Sequence, residues 1–410
     1  MEYALIGEKL SHSFSKEIYT KYFGMDYDIK EIPTEQVGVF LQQKDFKGLN
    51  VTIPYKQTVI PYLDEISDVA KKIGAVNVIV NDNGKLKGYN TDILGLKANI
   101  ENAGIVLKDK NVLILGDGAT SKNAYAVCEM CGAKSIQKVS REGNTDTITY
   151  EQAKQKNETQ VIINTTPVGM YPKIDGMLVN LDNYPVLDGV FDAVYNPLCS
   201  KLVVVAKRRG VTACGGLYML ISQAVYAVEK FKNIEYSARK TNEIFKEIYK
   251  SKENIVLVGM PGSGKTTVGK LLAKELGREF IDTDEIIKSE NGDIAEIFNT
   301  KGESGFRNIE TDVIKRVSAL QGKVIATGGG AVLRQENIDF LRLNSKIYFL
   351  DRPLESLVVT DDRPLSSDRK KLEKLYNERY QIYCDCCDKR IISNKIPNDT
   401  VSSVKEDWFK

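Results

Sequence analysis

Short apolar runs alternate with longer amphipathic stretches along most of the chain. Six of these runs are predicted to be strands: Val112–Leu115, Val161–Ile163, Leu187–Val190, Ile255–Val258, Val324–Ala326 and Lys346–Leu350. Continuous apolar runs of this kind are typical of strands buried on both faces, and helical patterns between them are typical of βαβ units. The pattern predicts an α/β fold built on parallel sheets.

The length and one charged stretch indicate several domains. A chain of 410 residues is longer than one hydrophobic core usually supports, so two or three domains are expected. Residues 232–254 are rich in charge and contain neither glycine nor proline, and Ile244, Phe245 and Ile248 keep helical spacing. We predict a helix over this stretch and a domain boundary near residues 251–253.

Composition argues against two classes of partner. The net charge of +2 provides no basic field for nucleic acid, and no apolar run approaches the ~18 residues that span a bilayer. Met1–Gly7 starts at once as a strand pattern rather than a secretory signal, so a cytoplasmic protein is expected. The single histidine, His12, lies among serines and is predicted to be a polar loop residue. Lys, Tyr, Asp and Glu are therefore the side chains that we expect to transfer protons.

A phosphate-binding loop follows the predicted strand Ile255–Val258. Residues 259–266 match G-x-x-x-x-G-K-[ST] and open a predicted helix at 268–275, which is the context that this motif requires. Backbone N–H groups of such a loop surround phosphate oxygens, the lysine reaches the β- and γ-phosphates, and the hydroxyl of the last residue binds Mg²⁺. We predict that ATP is held by Gly262, Ser263, Gly264, Lys265, Thr266 and Thr267.

The residues after this loop carry a resemblance to one kinase family. The matching segments are Asp282-Thr283-Asp284, Gly302–Arg307 with Glu310, Gly328-Gly329-Gly330, and Arg379 within 378–383. Over most of residues 254–395 the chain resembles shikimate kinase. The resemblance implies that Asp282 joins Thr266 at Mg²⁺, that Asp284 binds and deprotonates the acceptor hydroxyl with Lys265 as the other catalytic residue, and that Gly329 lies against the substrate ring.

Two arginines fit the carboxylate of such a substrate. Arg307 and Arg379 are the types of side chain that bind a carboxylate through two parallel hydrogen bonds.

One segment departs from the family pattern. Residues 357–365 retain Arg363, which the resemblance places at ATP, but the segment looks several residues shorter and lacks an earlier arginine. Since Asp361 and Asp362 add negative charge there, weak closure over ATP and a modest turnover number are expected.

The N-terminal half contains a glycine-rich turn after the predicted strand 111–115. Gly116-Asp117-Gly118-Ala119 is a degenerate dinucleotide-binding pattern, equally compatible with an ordinary strand–helix turn, and Asp117 counts against it. Seven ordered segments decide the matter: residues 12–15, 48–56, 74–77, 88–92, 164–170, 192–197 and Gln223 within 219–224. With these segments, residues 1–231 resemble shikimate dehydrogenase.

That resemblance implies a catalytic pair and a set of substrate contacts. Lys56 and Asp92 are expected at the carbonyl carbon, where an ammonium group stabilises the developing alkoxide and supplies a proton. The implied substrate-binding residues are Ser13 and Ser15 at the carboxylate, Thr52, Asn77, Asp92 and Gln223 at the ring and hydroxyls, and Tyr195 as an addition to this grip. Gly116, Gly118 and Ala119 would hold the dinucleotide.

Cofactor choice depends on the end of the next strand. NAD sites place an acidic side chain there, whereas Ser140 and Arg141 offer a hydrogen bond and a cation to the 2′-phosphate of NADP. Glu142 is a departure from the family pattern. We predict NADP(H) preference.

The two resemblances name consecutive reactions at one ring carbon. They imply that the chain reduces 3-dehydroshikimate to shikimate with NADPH and then phosphorylates shikimate with Mg²⁺ and ATP. The predicted division is 1–95 for a substrate domain, 96–231 for a Rossmann-type NADP domain whose last helix returns to the substrate domain, 232–253 for a helical linker and 254–410 for the P-loop kinase. A quinate/shikimate dehydrogenase with a weakened or regulatory kinase half is the alternative.

Overall fold

The computed structural model describes residues 2–10, 15–357, 369–393 and 396–409. Over these residues the chain forms two compact units, one made of residues 1–168, 177–196 and 205–248, and one made of 169–176, 197–204 and 249–410. Within the described ranges, no helix is both long enough and apolar enough to cross a membrane.

The first unit begins with a mixed six-stranded sheet in the order β2-β1-β3-β5-β6-β4. Its strands are β1 Tyr3–Gly7, β2 Tyr27–Glu31, β3 Gly48–Val51, β4 Glu65–Ile66, β5 Val78–Asp82 and β6 Lys85–Tyr89. The helices around it are α1 Ser15–Glu17, which continues into a π-helical turn at Ile18–Tyr22, α2 Val37–Gln43, α3 Tyr55–Thr58, α4 Asp68–Ile73 and α5 Asp92–Asn102. A buried apolar cluster including Ile6, Leu49 and Ile79 forms the core of this part.

The second sheet of this unit is parallel throughout, in the order β12-β11-β10-β7-β8-β9. Its strands are β7 Asn111–Leu115, β8 Ser135–Ser140, β9 Thr147–Thr149, β10 Val161–Asn164, β11 Gly189–Asp192 and β12 Thr212–Cys214. The helices that follow are α6 Ala119–Met130, α7 Tyr150–Ala153, α8 Lys201–Arg208, α9 Leu217–Lys232 and α10 Ala238–Lys252. The order reverses at β7, and ligands of open α/β sheets bind at such a point.

Helix α9 connects this sheet to the first one. Its partner α5 carries Gly95, where an added Cβ would lie only 2.7 Å from the carbonyl oxygen of Met219, so glycine permits the two helices to approach closely. At the far end of α9 the ring of Phe231 packs 5.2 Å, centroid to centroid, from that of Tyr3 in β1. Helix α9 therefore fixes the position of both sheets of the unit.

The second unit contains a five-stranded parallel sheet in the order β14-β15-β13-β16-β17. Its strands are β13 Asn254–Val258, β14 Phe280–Asp282, β15 Val324–Ala326, β16 Ser345–Asp351 and β17 Lys389–Ile392. Its helices are α11 Lys265–Leu276, α12 Thr283–Asn291, α13 Ile294–Ser318, α14 Gln335–Leu341, α15 Arg369–Cys386 and α16 Pro397–Trp408. Helix α13 is kinked at Gly302, whose φ of 69° lies in the left-handed region.

The predicted α/β class with parallel sheets is confirmed, and the six predicted strands are present, although β11 begins at Gly189 rather than at Leu187. The continuous helix predicted over 232–254 is wrong at its start. Helix α9 runs on to Lys232 and ends where Asn233 adopts φ 52° and ψ 49°, and α10 starts only at Ala238. Asparagine accepts this left-handed conformation and can end a helix as glycine does, which a search for glycine and proline overlooks.

Candidate active sites

The first site is centred on an ion pair between Lys56 and Asp92. Lys56 lies in the short helix α3, and Asp92 is the first residue of α5. The Lys56 Nζ–Asp92 Oδ2 distance is 2.5 Å, and the two side chains are 22% and 15% exposed. Asn77 donates to the other carboxylate oxygen, Asp92 Oδ1, at 2.9 Å. The ammonium group is thus held in one place while part of it stays open to a ligand.

Backbone contacts position this group of side chains. The Val76 N–H donates to the Lys56 carbonyl at 2.8 Å, and the Thr91 N–H donates to Asn77 Oδ1 at 2.7 Å. Since residues 76 and 77 precede β5 and residue 91 precedes α5, the sheet and the helix are tied together at the pair. Asn77 itself is buried, and its two amide hydrogen bonds leave its orientation well determined.

The other predicted substrate residues lie at the carboxyl end of the first sheet or on α9. Thr52 follows β3 directly, is half-buried, and donates its backbone N–H to the Ile6 carbonyl at 3.0 Å. Ser15 is the first residue of α1 and is half-buried. Gln223 lies beside α5, with its Cβ 3.0 Å from the place where a Cβ on Gly95 would stand, so it lies one helical turn from Asp92. Ser13 lies outside the described residues.

Tyr195 follows β11 after Asp192, at the carboxyl end of the second sheet. It is half-buried, and burial raises the pKa of its phenol, so the side chain is a neutral hydrogen-bonding group at physiological pH. Its chemistry is compatible with the predicted contact to a carboxylate.

The glycine turn at 116–119 has the geometry that a dinucleotide phosphate needs. Gly116 has φ 107°, and a Cβ there would lie 2.8 Å from Thr165 Oγ1, so only glycine fits. A Cβ on Gly118 would meet nothing within 4 Å, which leaves open space in front of the first turn of α6, beginning at Ala119. A diphosphate fits this space because backbone N–H groups and the positive end of the helix dipole face it.

The predicted 2′-phosphate residues follow β8. Ser140 Oγ lies 2.7 Å from Thr147 Oγ1 and accepts from the Gly143 N–H at 3.1 Å, so its hydroxyl shapes the loop. Arg141 and Glu142 are both exposed. The structure therefore places a cation and a carboxylate side by side after this strand, together with the shaped hydroxyl.

In the second unit the phosphate loop borders a cavity of about 440 Å³ at the carboxyl end of the parallel sheet. Lys265 Nζ donates to the carbonyls of Gly259 and Met260 at 2.8 and 3.0 Å, so the lysine folds back over the loop. Of the predicted nucleotide residues, the cavity is lined by Gly262, Gly264, Lys265, Thr266 and Thr267. Ser263 is buried and is not among the lining residues; Arg363 lies outside the described residues.

Oxygen ligands for a divalent cation meet at one edge of this cavity. The Thr266 hydroxyl donates to Asp282 Oδ2 at 2.8 Å, and Asp282 Oδ1 accepts from the Asp284 N–H at 3.1 Å. A hydroxyl and a carboxylate next to a phosphate loop are the ligands that Mg²⁺ prefers, and the ion usually retains several waters. The predicted pair Thr266 and Asp282 therefore fits this ion.

The glycine triplet 328–330 brings the acceptor-binding residues together. A Cβ on Gly328 would lie 2.6 Å from Asp284 Oδ1 and 2.9 Å from Glu310 Oε1. A Cβ on Gly330 would lie 2.2 Å from Nη1 of Arg307. Bare backbone at these two positions gives room for two carboxylates and a guanidinium group in one small space.

Arg307 and Glu310 form a buried ion pair within α13. The Arg307 Nη1–Glu310 Oε2 distance is 2.7 Å, with side chains 8% and 1% exposed. Burial raises the pKa of Glu310, opposed by Arg307 and reinforced by the charge of Asp284. Arg307 Nε and Glu310 Oε1 are buried without hydrogen-bond partners among the described residues. The pair thus keeps unused donor and acceptor capacity.

Arg379 reaches the same triplet from α15. Its Nη1 donates to the Gly329 carbonyl at 3.2 Å, and the Tyr383 hydroxyl donates to that same oxygen. Arg307 and Arg379 both line the cavity together with Asp284 and Gly329. The predicted carboxylate clamp and the predicted acceptor-binding residues are therefore brought to one place.

Sequence reasoning gave no role to two cavity residues. Glu310 belongs to the motif that contains Arg307, and a glutamate three residues after an arginine on a helix is typical of an ion pair. Arg352 follows β16 and lines the cavity, with its Nη1 3.9 Å from the place where a Cβ on Gly264 would stand. Its position just after a parallel strand, where ligands of such sheets bind, was the available signal.

Two family models match separate parts of the chain. Residues 5–79 match the family described as "Shikimate dehydrogenase substrate binding domain", and residues 261–407 match "Shikimate kinase". The shikimate dehydrogenase (NADP(+)) of Clostridium beijerinckii is 38% identical over 259 residues, which are 59% of this chain and 96% of the relative.

Two solved structures resemble the same part of the chain. The chorismate mutase/shikimate 5-dehydrogenase fusion protein of Clostridium acetobutylicum has a TM-score of 0.56 at 33% identity, with 60% of this chain and 96% of that chain covered. Shikimate 5-dehydrogenase of Listeria monocytogenes, in complex with shikimate and NAD, has a TM-score of 0.53 at 28% identity, with 60% and 96% covered.

Proposed function

Since the chain belongs to the shikimate dehydrogenase family and carries a shikimate kinase domain after it, we propose that it catalyses two consecutive reactions. The first is the NADPH-dependent reduction of 3-dehydroshikimate to shikimate. The second is the transfer of the γ-phosphoryl group of ATP to shikimate, which forms shikimate 3-phosphate. The observation that carries this proposal is the presence, in one chain, of a lysine–aspartate pair at the end of one sheet and a phosphate loop facing a carboxylate–arginine cavity at the end of another.

In the reductase half, NADPH bound at the glycine turn supplies the hydride. The residues of the chain stabilise the negative charge that hydride transfer creates on the carbonyl oxygen. Lys56 Nζ stabilises the developing alkoxide and gives it a proton, and Asp92 holds the ammonium group in place through the 2.5 Å contact. Asn77 keeps the carboxylate from rotating. Ser13, Ser15, Thr52, Tyr195 and Gln223 are the residues that we assign to the carboxylate, ring and hydroxyls.

In the kinase half, residues of the chain align the attacking hydroxyl with the phosphates of ATP and neutralise the negative charge of those phosphates. Asp284 accepts the proton of the attacking hydroxyl, and Lys265 leaves the loop carbonyls to bind the β- and γ-phosphates. Thr266 and Asp282 would hold Mg²⁺, which would neutralise negative charge on the phosphates. Arg307 and Arg379 bind the substrate carboxylate, for which Arg307 Nε is an unused buried donor, and Gly329 lies against the ring.

We also propose the functional boundaries along the chain. Residues 1–95 hold the substrate of the reductase, 96–231 hold NADP(H), and 254–410 form the kinase. The stretch 232–253 connects them, with helix only from Ala238. We place both reactions in the cytoplasm, where their small-molecule substrates and cofactors are available.

A coupled assay of the purified chain tests the proposal. With 3-dehydroshikimate, NADPH and Mg-ATP, one equivalent of NADPH oxidised should be followed by one equivalent each of ADP and shikimate 3-phosphate, measured by absorbance at the nicotinamide band and by mass spectrometry. The Lys265→Met variant should stop at shikimate at an unchanged rate of NADPH oxidation. Absence of NADPH oxidation would reject the reductase assignment, and ADP release independent of shikimate would reject the kinase assignment.

A further inference from the structure

We propose that Asp117 and Lys138 form a charge pair that determines how strongly the reductase half prefers a 2′-phosphorylated dinucleotide. This inference rests on the proposed reductase function and deepens it, because it names the residues that set the margin between NADPH and NADH. Neither residue is part of the predicted 2′-phosphate contact at Ser140 and Arg141.

The geometry places the pair where the glycine turn lies next to the carboxyl end of β8. The Gly116 N–H donates to the carbonyl of Val139 at 2.8 Å and so continues the pairing of β7 with β8, which places the start of the turn beside the end of β8. Asp117, the next residue, lies 2.9 Å from Lys138 through its Oδ1 and the Nζ. Lys138 is two residues before Ser140 on β8 and therefore points to the same face of the sheet as that serine.

The carboxylate of Asp117 is a permanent charge at neutral pH. The hydrogen bond from Lys138 is the largest influence that lowers the pKa of Asp117, with smaller contributions from Asn144 and Lys122. The Lys138 side chain is 17% exposed and that of Asp117 is 34% exposed, so both groups are accessible to a ligand at their open sides.

The position of the pair determines its effect. In folds of this kind the diphosphate lies at the glycine turn, and the adenosine ribose lies at the end of the following strand. A carboxylate there accepts a hydrogen bond from a free 2′-hydroxyl but repels a 2′-phosphate, whereas an ammonium group attracts the phosphate. Asp117 pairs with the Lys138 ammonium group and cancels its charge. The 2′-phosphate therefore meets a neutral pair there, and its binding depends mainly on Arg141, next to Glu142.

Removing Asp117 and removing Lys138 should therefore shift the preference for NADPH over NADH in opposite directions. In Asp117→Ala the Lys138 ammonium is released and one repulsive charge is lost, so the dissociation constant for NADPH should fall about tenfold while that for NADH changes less than about twofold. In Lys138→Met the uncompensated carboxylate should weaken NADPH binding about tenfold and leave NADH nearly unchanged.

The test is an equilibrium titration of the full chain by nicotinamide fluorescence, with Mg-ADP present to fill the phosphate loop of the kinase half. Asp188→Ala is the matched control, because Asp188 pairs with Lys110 at the opposite, amino-terminal end of the same sheet. Thermal unfolding of each variant shows that the fold is retained. Asp117→Asn, which keeps the side-chain size, should shift NADPH binding in the same direction as Asp117→Ala.

The outcomes separate this inference from the function on which it rests. A ratio of NADPH to NADH affinity that rises in Asp117→Ala, falls in Lys138→Met and stays constant in Asp188→Ala supports the pair. Equal changes for both dinucleotides, or no change in a chain that still reduces 3-dehydroshikimate, overturn the pair and leave the reductase function intact. A wild-type chain that binds neither dinucleotide and reduces nothing overturns the function itself.

Discussion

In the site around Lys56 the polar atoms of the ion pair and of Asn77 all have partners, whereas in the cavity of the kinase half two buried side-chain atoms have none among the described residues. The Lys56–Asp92 pair is completed by Asn77, and both charged side chains remain partly open to water. The Arg307–Glu310 pair is nearly inaccessible, and Arg307 Nε and Glu310 Oε1 lack partners among the described residues. Both are cation–carboxylate pairs, but their surroundings differ.

The difference shows what each pair is suited to do. A partly solvated, satisfied pair costs little to maintain and holds an ammonium group ready to deliver a proton. A buried pair with unused hydrogen-bonding capacity costs free energy in the folded protein, because desolvation opposes both charges. The raised pKa of Glu310 reflects that cost. An anionic ligand that supplies acceptors to Arg307 offsets part of it, so binding and stabilisation are coupled in the kinase half.

The largest expected effect is the separate loss of each chemical step. Lys56→Met removes the proton donor and should lower kcat for reduction about 10²–10⁴-fold, and Asp284→Asn removes the base and should lower kcat for phosphorylation by a similar factor. Initial rates of both reactions are measured for each variant. Each substitution should leave the other reaction within twofold, roughly, since it changes only one site.

An exposed pair provides the control for this comparison. Lys87 pairs with Asp82 at 2.8 Å on the first sheet, away from the catalytic pair. Lys87→Met should leave both rates unchanged. Reduction that survives in Lys56→Met at the wild-type rate contradicts the role of the ammonium group, and the same holds for phosphorylation in Asp284→Asn.

A smaller effect is expected when the buried pair loses its negative charge. Glu310→Gln keeps the shape but removes the charge that orients Arg307, and breaking a buried pair typically costs about 3–5 kcal/mol in total. Since part of that cost falls on folding, KM for shikimate in the kinase reaction should rise about 10- to 100-fold. KM for ATP should change little.

The pH dependence sharpens this prediction. Because burial raises the pKa of Glu310, the carboxylate takes up its proton at a higher pH than an ordinary glutamate as the solution is acidified. Protonation neutralises the buried one of the two carboxylates that pair with Arg307, the other being Glu303 at 3.2 Å, so KM for shikimate should start to rise with falling pH above about pH 4.3, the ordinary value. A KM profile from pH 8 to pH 5 measures this rise. The profile of Glu310→Gln should lack it, and an identical profile would contradict the assignment.

What the sequence could predict differs between the two sites for a physical reason. The phosphate loop is made of consecutive residues whose function depends on local backbone shape, so its motif alone is enough to predict a phosphate-binding turn. The apolar runs predicted the strands because buried parallel strands need no long-range information. Ion pairs depend on register instead: Asp117 and Lys138 are 21 residues apart and meet only because β7 and β8 are paired in the sheet.

The same reason explains the two misjudged features. The helix end at Asn233 depends on a single left-handed residue, which propensity alone does not mark. Arg352 was overlooked because a single arginine after a strand gains meaning only when the fold brings it to a cavity.

The smallest expected effect concerns that arginine. Arg352 lines the cavity beside Gly264, and its Nε is buried without a hydrogen-bond partner among the described residues. Arg352 directly follows β16, and its guanidinium group places a positive charge next to the phosphate loop. Because Lys265 and Mg²⁺ already neutralise most of the phosphate charge, Arg352→Met should raise KM for Mg-ATP only about five- to tenfold.

Kinetics and binding together can separate charge from packing at this residue. Arg352→Lys keeps the positive charge on a compact head group and should recover part of the loss, whereas a packing role predicts that Lys and Met behave alike. A titration with a fluorescent ADP analogue gives the affinity independently of turnover, and reduction of 3-dehydroshikimate by the same sample serves as the internal control. An unchanged KM for Mg-ATP in Arg352→Met would mean that the arginine packs in the wall of the cavity and does not bind the nucleotide. The kinase half would then depend on one lysine, Lys265, as the reductase half depends on Lys56.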